Sequence, residues 1–172
     1  LHAVELGEKN IKKSFNDCKA LVIGGGAIGL ICALILEKIK NCGEIYLSEP
    51  NQKRLEVCSK NLKSTSTTPK DPSLKENDFD LVFDTVGLEA TRNSAIKHIK
   101  PGGTIVHIGL SQPSGIFDFR KATLQEITFI GTYCYTNKDF ENTLNLLSKN
   151  KIGDLNWIEF KNLSSGAEAF KE

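Results

Sequence analysis

An apolar run, Ala20-Leu-Val-Ile, passes directly into Gly24-Gly25-Gly26-Ala27-Ile28-Gly29, and a carboxylate, Glu49, stands twenty residues after the last glycine. A strand that turns at once into a helix needs a corner residue tolerant of unusual backbone angles, which Gly24 supplies. Gly26 leaves the backbone open to close approach, and Gly29 lets the helix lie tight on the strand. The unpaired N–H groups and positive dipole end of that helix then face whatever lies over the turn, an arrangement suited to a pyrophosphate without any lysine. The spacing predicts a dinucleotide-binding turn.

Glycine-rich turns are common, so the surroundings decide the matter. Ala20 to Ile23 reads as a buried strand and Ala27 to Lys40 as a helix. Glu-Ile-Tyr-Leu-Ser-Glu49 is a second strand after the Cys42-Gly43 break. Glu49 then ends that strand, where its carboxylate accepts both hydroxyls of an adenosine ribose and repels the extra phosphate of NADP. NAD is therefore the expected cofactor and NADP the less favoured one, although Lys53 and Arg54 lie near enough to soften the preference. A membrane span over Ala20 to Leu36 is the competing reading. The run is shorter than the roughly 20 residues a bilayer needs and is broken by three adjacent glycines.

The 172 residues suit one domain, and 22 Lys+Arg against 21 Asp+Glu leave a net charge of +1. With no basic stripe, neither nucleic acid nor a membrane surface is expected as a partner. Cys18, Cys32, Cys42, Cys58 and Cys134 form no C-x-x-C pair and read as reduced thiols of a cytoplasmic protein. The chain opens on Leu1 and contains no methionine. Ser165-Gly-Ala-Glu168 reads as a capping box for a helix over 165–172 that is too short to stand alone. Both features suggest a piece of a longer polypeptide.

Residues 1–16 read as an entry helix and linker, with Leu1, Ala3, Val4 and Leu6 on its apolar face. Helices follow from Asn51 (Leu55, Cys58, Leu62), from Glu89 to Lys100 and from Asn137 to Lys149 (Phe140, Leu144, Leu147). Strands are expected at Phe79–Val86, Thr104–Gly109, Ile116–Phe119 and Ile127–Gly131. Pro101-Gly102-Gly103 closes a helix, and the polar stretch Ser64–Pro72 has little room for a full strand and helix. The alternation predicts an α/β, Rossmann-type doubly wound, mostly parallel sheet with helices on both faces and its ligand at the carboxyl ends of the strands.

Leu1-His-Ala-Val, Gly24-Gly-Gly-Ala-Ile-Gly-Leu30, Ser48-Glu-Pro-Asn-Gln-Lys-Arg54, Phe79-Asp-Leu-Val-Phe-Asp-Thr-Val-Gly87, Lys100-Pro-Gly-Gly103, Gly131-Thr-Tyr-Cys-Tyr-Thr and Leu163-Ser-Ser-Gly-Ala-Glu-Ala-Phe170 together resemble the medium-chain, zinc-type alcohol and polyol dehydrogenases. The resemblance spans nearly the whole chain. It implies that residues 1–172 are the NAD-binding domain and that the catalytic zinc domain of the parent is absent, so the chain binds NAD(H) without turning over alcohols alone. It assigns Gly24, Gly26, Ala27, Ile28 and Gly29 to the pyrophosphate, Glu49 to the ribose and Arg54 to the adenosine side. Thr85 and Val86 would line the dinucleotide. Ile108, Gly109 and Leu110 would meet the nicotinamide, with Thr132 and Tyr133 bordering the cleft. Zinc belongs to the parent only, and the family's habit of pairing sheet edges implies a homodimer through the 116–119 strand.

No catalytic residue is expected in this segment. His2 sits on the entry helix, and His98 reads as an exposed imidazolium suited to a helix C-terminus. His107 lies close to the nicotinamide end but is read as packing. Asp84 and Glu89 read as a solvated strand end and a helix first turn rather than an acid–base pair. Two other functions fit the glycine turn, an S-adenosylmethionine-dependent methyltransferase and a non-catalytic NAD-sensing module. The substrate, an alcohol or polyol, would be shaped elsewhere.

Overall fold

The computed structural model describes residues Leu1–Lys171; Glu172, the last residue of the expected 165–172 helix, lies outside them. The apolar run of residues 20–36 divides at the glycine turn into strand β1 (Lys19–Ile23) and helix α2 (Ala27–Lys38). Among the described residues no helix is long and apolar enough to cross a membrane. Around this unit the chain runs α1 (His2–Lys9), β1, α2, β2 (Glu44–Ser48), α3 (Gln52–Asn61), β3 (Thr65–Thr67), β4 (Phe79–Asp84), α4 (Glu89–His98), β5 (Ile99–His107), α5 (Phe119–Leu124), β6 (Thr128–Gly131), α6 (Asn137–Ser148) and α7 (Gly166–Ala169).

These six strands form one sheet in the order β3-β2-β1-β4-β5-β6, every neighbour parallel. Strand order reverses between β1 and β4, which opens a crevice there. Register makes that crevice useful: Ile23 lies opposite Ser48 on one side and Asp84 on the other, so the turns after β1, β2 and β4 emerge level with one another. A methyltransferase sheet needs a reversed strand near its end, and β6 runs parallel to β5.

Alternation along β1 divides the core. Ala20 and Val22 join Val4 of α1, Leu47, Phe83 and the α2 residues Leu30, Ala33, Leu34 and Leu36 on one face. Leu21 and Ile23 join Phe79, Val82, Ile105 and the α4 residues Ala95 and Ile96 on the other. Two-sided burial explains why the strands read as continuous apolar runs.

Three expectations for these elements are corrected, the 116–119 strand, the close of α4 and the Ser165 cap. Ile116–Phe119 is no strand: the Asp118 side chain accepts from the Lys121 backbone N–H at 2.8 Å and starts α5, while Phe117 packs against Phe129 at 5.3 Å. The sheet edge is therefore β6, and the proposed pairing through a 116–119 strand has no strand to use. Pro101-Gly102-Gly103 does not close α4, which ends at His98. Ile99 already pairs with Phe79 in β5, and residues 100–103 loop out before Thr104 resumes opposite Leu81. Ser165 makes no side-chain cap bond, and α7 follows a 3-10 turn over Leu163–Ser165. The polar Ser64–Pro72 stretch holds only the three-residue β3. Helix α6 forms as expected, with Phe140, Leu144 and Leu147 exposed.

Candidate cofactor-binding site

The turn after β1 is built around space. Gly24 has φ +102°, and a Cβ there would stand 2.5 Å from Val86 Cγ2 and 2.8 Å from Thr85 Oγ1. At Gly29 a Cβ would fall inside the Gly24 carbonyl oxygen, so that position joins helix to strand backbone on backbone. Over Gly26 nothing lies within 4 Å of where a Cβ would be. Gly26 is also the N-cap of α2 and offers no side chain to the first N–H groups of the helix, which therefore face open space. Gly25, to which the sequence pattern gives no role, is equally constrained: a Cβ would stand 2.9 Å from both Glu49 Cβ and Cys58 Sγ. The unbroken triple glycine was the available signal.

Glu49 follows β2 beside this turn, yet the residue is only 3 % exposed. Oε2 accepts from the Gly25 N–H at 2.7 Å and Oε1 from the Asn51 N–H at 2.8 Å. The expectation of a carboxylate free for two ribose hydroxyls is thus refined: one oxygen already braces the glycine turn and the other the approach to α3, and each keeps further acceptor capacity. Asn51 caps α3 by accepting from the Arg54 N–H at 3.1 Å, placing Lys53 and Arg54 on the first turn of that helix. Both line a cavity of about 260 Å³ with Gly25, Gly26, Ala27, Leu30, Val57 and Trp157. Trp157 carries no sequence signal; it arrives from the segment after α6 and packs on the core beside the turn.

The turn after β4 hangs on Asp84. This side chain is fully buried, not solvated, and accepts from the Val86 and Gly87 N–H groups at 3.1 and 2.9 Å, with Thr91 Oγ1 at 3.1 Å. It shapes the loop that carries Thr85 and Val86. Thr85 Oγ1 donates to the Ile23 carbonyl at 2.8 Å, tying β4 to β1. The Ile108 and Gly109 N–H groups reach the Asp84 carbonyl at 2.9 and 3.1 Å. A Cβ on Gly109 would meet the Val86 carbonyl, and one on Gly87, at φ +76°, would meet the Gly109 carbonyl. The fourth and fifth turns therefore touch along their backbones. Ile28 and Leu110 stand 54 % and 78 % exposed at the mouth, and Tyr133 is exposed, with the Thr132 N–H on the His107 carbonyl at 3.0 Å.

The histidines divide. His98 is buried, not an exposed cation: its Nδ1 lies 2.9 Å from the Lys75 carbonyl, and burial pushes its pKa down. His2 Nδ1 lies 2.9 Å from Asp139 Oδ2 and joins α1 to α6. His107 sits 5.5 Å from the Phe129 ring, with Nε2 3.6 Å from Asp84 Oδ2. Among the described residues no group of three or more His, Cys, Asp or Glu side chains is placed to hold a metal. Burial pushes the Cys32 and Cys58 thiols up to about 11 and Cys42 up to about 12, which keeps them as thiols rather than ligand thiolates. Zinc does not fit this set of residues; a dinucleotide does, through the open N–H groups over Gly26 and the carboxylate beside them.

Comparisons with known proteins agree. A profile described as zinc-binding dehydrogenase matches residues 27–149. The chain is 34 % identical over 146 residues to a probable diacetyl reductase ((R)-acetoin forming) of Saccharomyces cerevisiae, covering 77 % of this chain and 34 % of that protein. It is 26 % identical over 168 residues to a probable D-xylulose reductase A of Neosartorya fischeri, covering 88 % of this chain and 46 % of that protein. The chain thus spans less than half the length of either relative. Its fold is that of an acetophenone reductase from Geotrichum candidum solved in complex with NAD, with a TM-score of 0.84 at 19 % identity over 99 % of this chain and 48 % of that one. With the profile covering most of its length, the chain belongs to the zinc-binding dehydrogenase family.

Proposed function

We propose that this chain is the NAD(H)-binding domain of an alcohol or polyol dehydrogenase, holding the nicotinamide for hydride transfer to or from an alcohol/ketone pair. The observation that carries the reading is the combination of a side-chain-free opening over Gly26 with the buried Glu49 carboxylate beside it. The relatives named for diacetyl and xylulose support the substrate class, and the NAD-bound fold neighbour supports the cofactor. Four buried and unpaired cysteines favour a reducing, cytoplasmic setting.

Bound nicotinamide supplies the hydride acceptor for oxidation and the donor for reduction. The residues of this chain bind and orient. N–H groups of Gly26, Ala27 and Ile28 hold the diphosphate at the positive end of α2, with Gly24 and Gly29 keeping the turn tight against β1. Glu49 takes the adenosine ribose, and Arg54 flanks it. Thr85 and Val86 border the middle of the cleft, while Ile108, Gly109 and Leu110 meet the nicotinamide. Among the described residues no group of three or more His, Cys, Asp or Glu is placed to hold a metal, and the purified chain is expected to bind cofactor and not oxidise alcohols.

Calorimetric titration with NADH, NADPH and S-adenosylmethionine tests this. NADH binding more tightly than NADPH, with no S-adenosylmethionine binding, is expected. Binding of S-adenosylmethionine alone, or metal-dependent alcohol oxidation by the isolated chain, would overturn it.

A further inference from the structure

Arg92, on the second turn of α4, is unusual in what it holds. Its guanidinium finds backbone rather than a carboxylate: Nη1 donates to the Gly87 carbonyl at 2.9 Å and the Gln112 carbonyl at 3.2 Å, and Nη2 to the Ser114 carbonyl at 2.6 Å. Gly87 closes the turn after β4, whereas Gln112 and Ser114 belong to the loop after β5. One planar, five-donor group therefore bridges two segments that are neighbours only in space.

Further contacts converge on the same junction. The Gln112 N–H donates to the Gly87 carbonyl at 3.0 Å and the Ser111 N–H to the Val86 carbonyl at 3.2 Å. Gln112 Oε1 accepts from the Glu89 N–H at 2.9 Å, at the start of α4. Gly115, at φ +150°, leaves room for the bridge, since a Cβ there would stand 2.8 Å from Arg92 Nη2 and 2.9 Å from Glu89 Cβ. Between the two anchor points lies the exposed Leu110, with Gly109 pressed on Val86. Without the bridge, the 110–115 loop would keep the Ser111 and Gln112 backbone bonds and the Gln112 side-chain bond to Glu89, and would lose its hold on Ser114.

We propose that Arg92 is a positioning residue for the nicotinamide half of the cofactor: by clamping the 112–114 loop onto Gly87 it sets Gly109 and Leu110 against the turn that carries Thr85 and Val86. The assignment rests on the dinucleotide reading above. Arg92 sits on α4, across the sheet from the glycine turn and α2, so its effect is confined to one end of the ligand. A misplaced loop weakens what the nicotinamide adds and leaves the adenosine and diphosphate contacts alone.

The test compares two ligands that differ only in that half. Kd values for NADH and ADP-ribose are measured calorimetrically on the wild-type chain, Arg92→Met and Arg92→Lys, with NADH emission recorded in parallel. The wild type is expected to bind NADH more tightly than ADP-ribose. Arg92→Met should lose about tenfold on NADH with ADP-ribose unchanged, and the emission of bound NADH should move toward that of free NADH. Arg92→Lys, which keeps the charge but reaches fewer carbonyls, should fall between them. Equal losses for both ligands, or full recovery in Arg92→Lys, would show a bulk electrostatic or folding role and overturn the proposal. An unchanged NADH to ADP-ribose ratio in Arg92→Met, or a wild type that gains nothing from the nicotinamide, would also overturn it. A wild type that binds neither ligand would instead refute the dinucleotide reading itself.

Discussion

Replacing Gly29 by alanine sets two energies of opposite sign against each other. Alanine is about 1 kcal/mol better than glycine inside a helix, and Gly29 has ordinary helical neighbours in α2, so propensity alone predicts stabilisation. Sterics oppose it, because the new methyl would fall inside the Gly24 carbonyl oxygen and 3.0 Å from Thr85 Oγ1. The carbonyl has little freedom to retreat: the Gly24 N–H is held by the Ser48 carbonyl at 2.8 Å, and Thr85 Oγ1 lies 3.4 Å from the Gly24 carbonyl itself. Helix α2 must back away from β1, loosening a packed core; overpacking costs about 1–3 kcal/mol, and a clash with a backbone oxygen that cannot rotate away belongs to the upper part of that range, about 2–3 kcal/mol. The net loss is about 1–2 kcal/mol, or roughly 2–8 °C in Tm for a chain of this size. Gly26→Ala is the control: nothing lies within 4 Å of its Cβ and its φ of −72° suits alanine, so Tm should hold within about 2 °C. Its methyl occupies the opening over the turn, so NADH affinity should fall at least about tenfold. Thermal unfolding and NADH titration of both variants decide the matter. A Gly29→Ala chain as stable as the wild type, or a Gly26→Ala chain that binds NADH normally, would refute the reasoning.

Glu49→Ala should weaken NADH by about tenfold and narrow the gap to NADPH, measured by titration; it also strands the Gly25 and Asn51 N–H groups, so Tm should drop as well. An NADH preference that survives the substitution would place discrimination elsewhere. In the native state Ellman's reagent should label one of the five cysteines, Cys134, since Cys18, Cys32, Cys42 and Cys58 are buried; rapid labelling of a second thiol without unfolding would contradict this packing. Burial raises Cys32, Cys42 and Cys58 from the ordinary 9.0 to about 11, 12 and 11. Above pH 9 the unfolded chain sheds these protons and the folded chain keeps them. The stability they contribute is therefore complete below pH 9 and is lost as pH rises from 9 through about 12. Urea midpoints should fall over that window, and Cys42→Ala should fall less steeply than the wild type.

What the sequence revealed and what it hid follow one physical division. The β1–turn–α2 unit, the ends of β2 and β4 and the order of helices and strands were legible because buried parallel strands and glycine corners leave local marks. Ile116–Phe119 misled because its alternation imitates a strand, while the deciding interaction, Asp118 capping α5, competes for the same residues. His98 and Asp84 looked solvated from their places at element ends; only the tertiary fold shows Lys75 and the fourth turn closing over them. Trp157 and Arg92 were invisible for a related reason. Trp157 meets residues about 100 positions away and Arg92 ties its near neighbour Gly87 to carbonyls 20 and 22 positions away, and neither belongs to a spacing pattern.

Where a dinucleotide lies on this chain is read from a crystal structure of the chain with NADH. The diphosphate is expected within hydrogen-bond distance of the Gly26, Ala27 and Ile28 N–H groups, the adenosine ribose on Glu49 and the nicotinamide against Gly109 and Leu110. A diphosphate bound away from the α2 N-terminus, or a ribose that leaves Glu49 untouched, would contradict this placement.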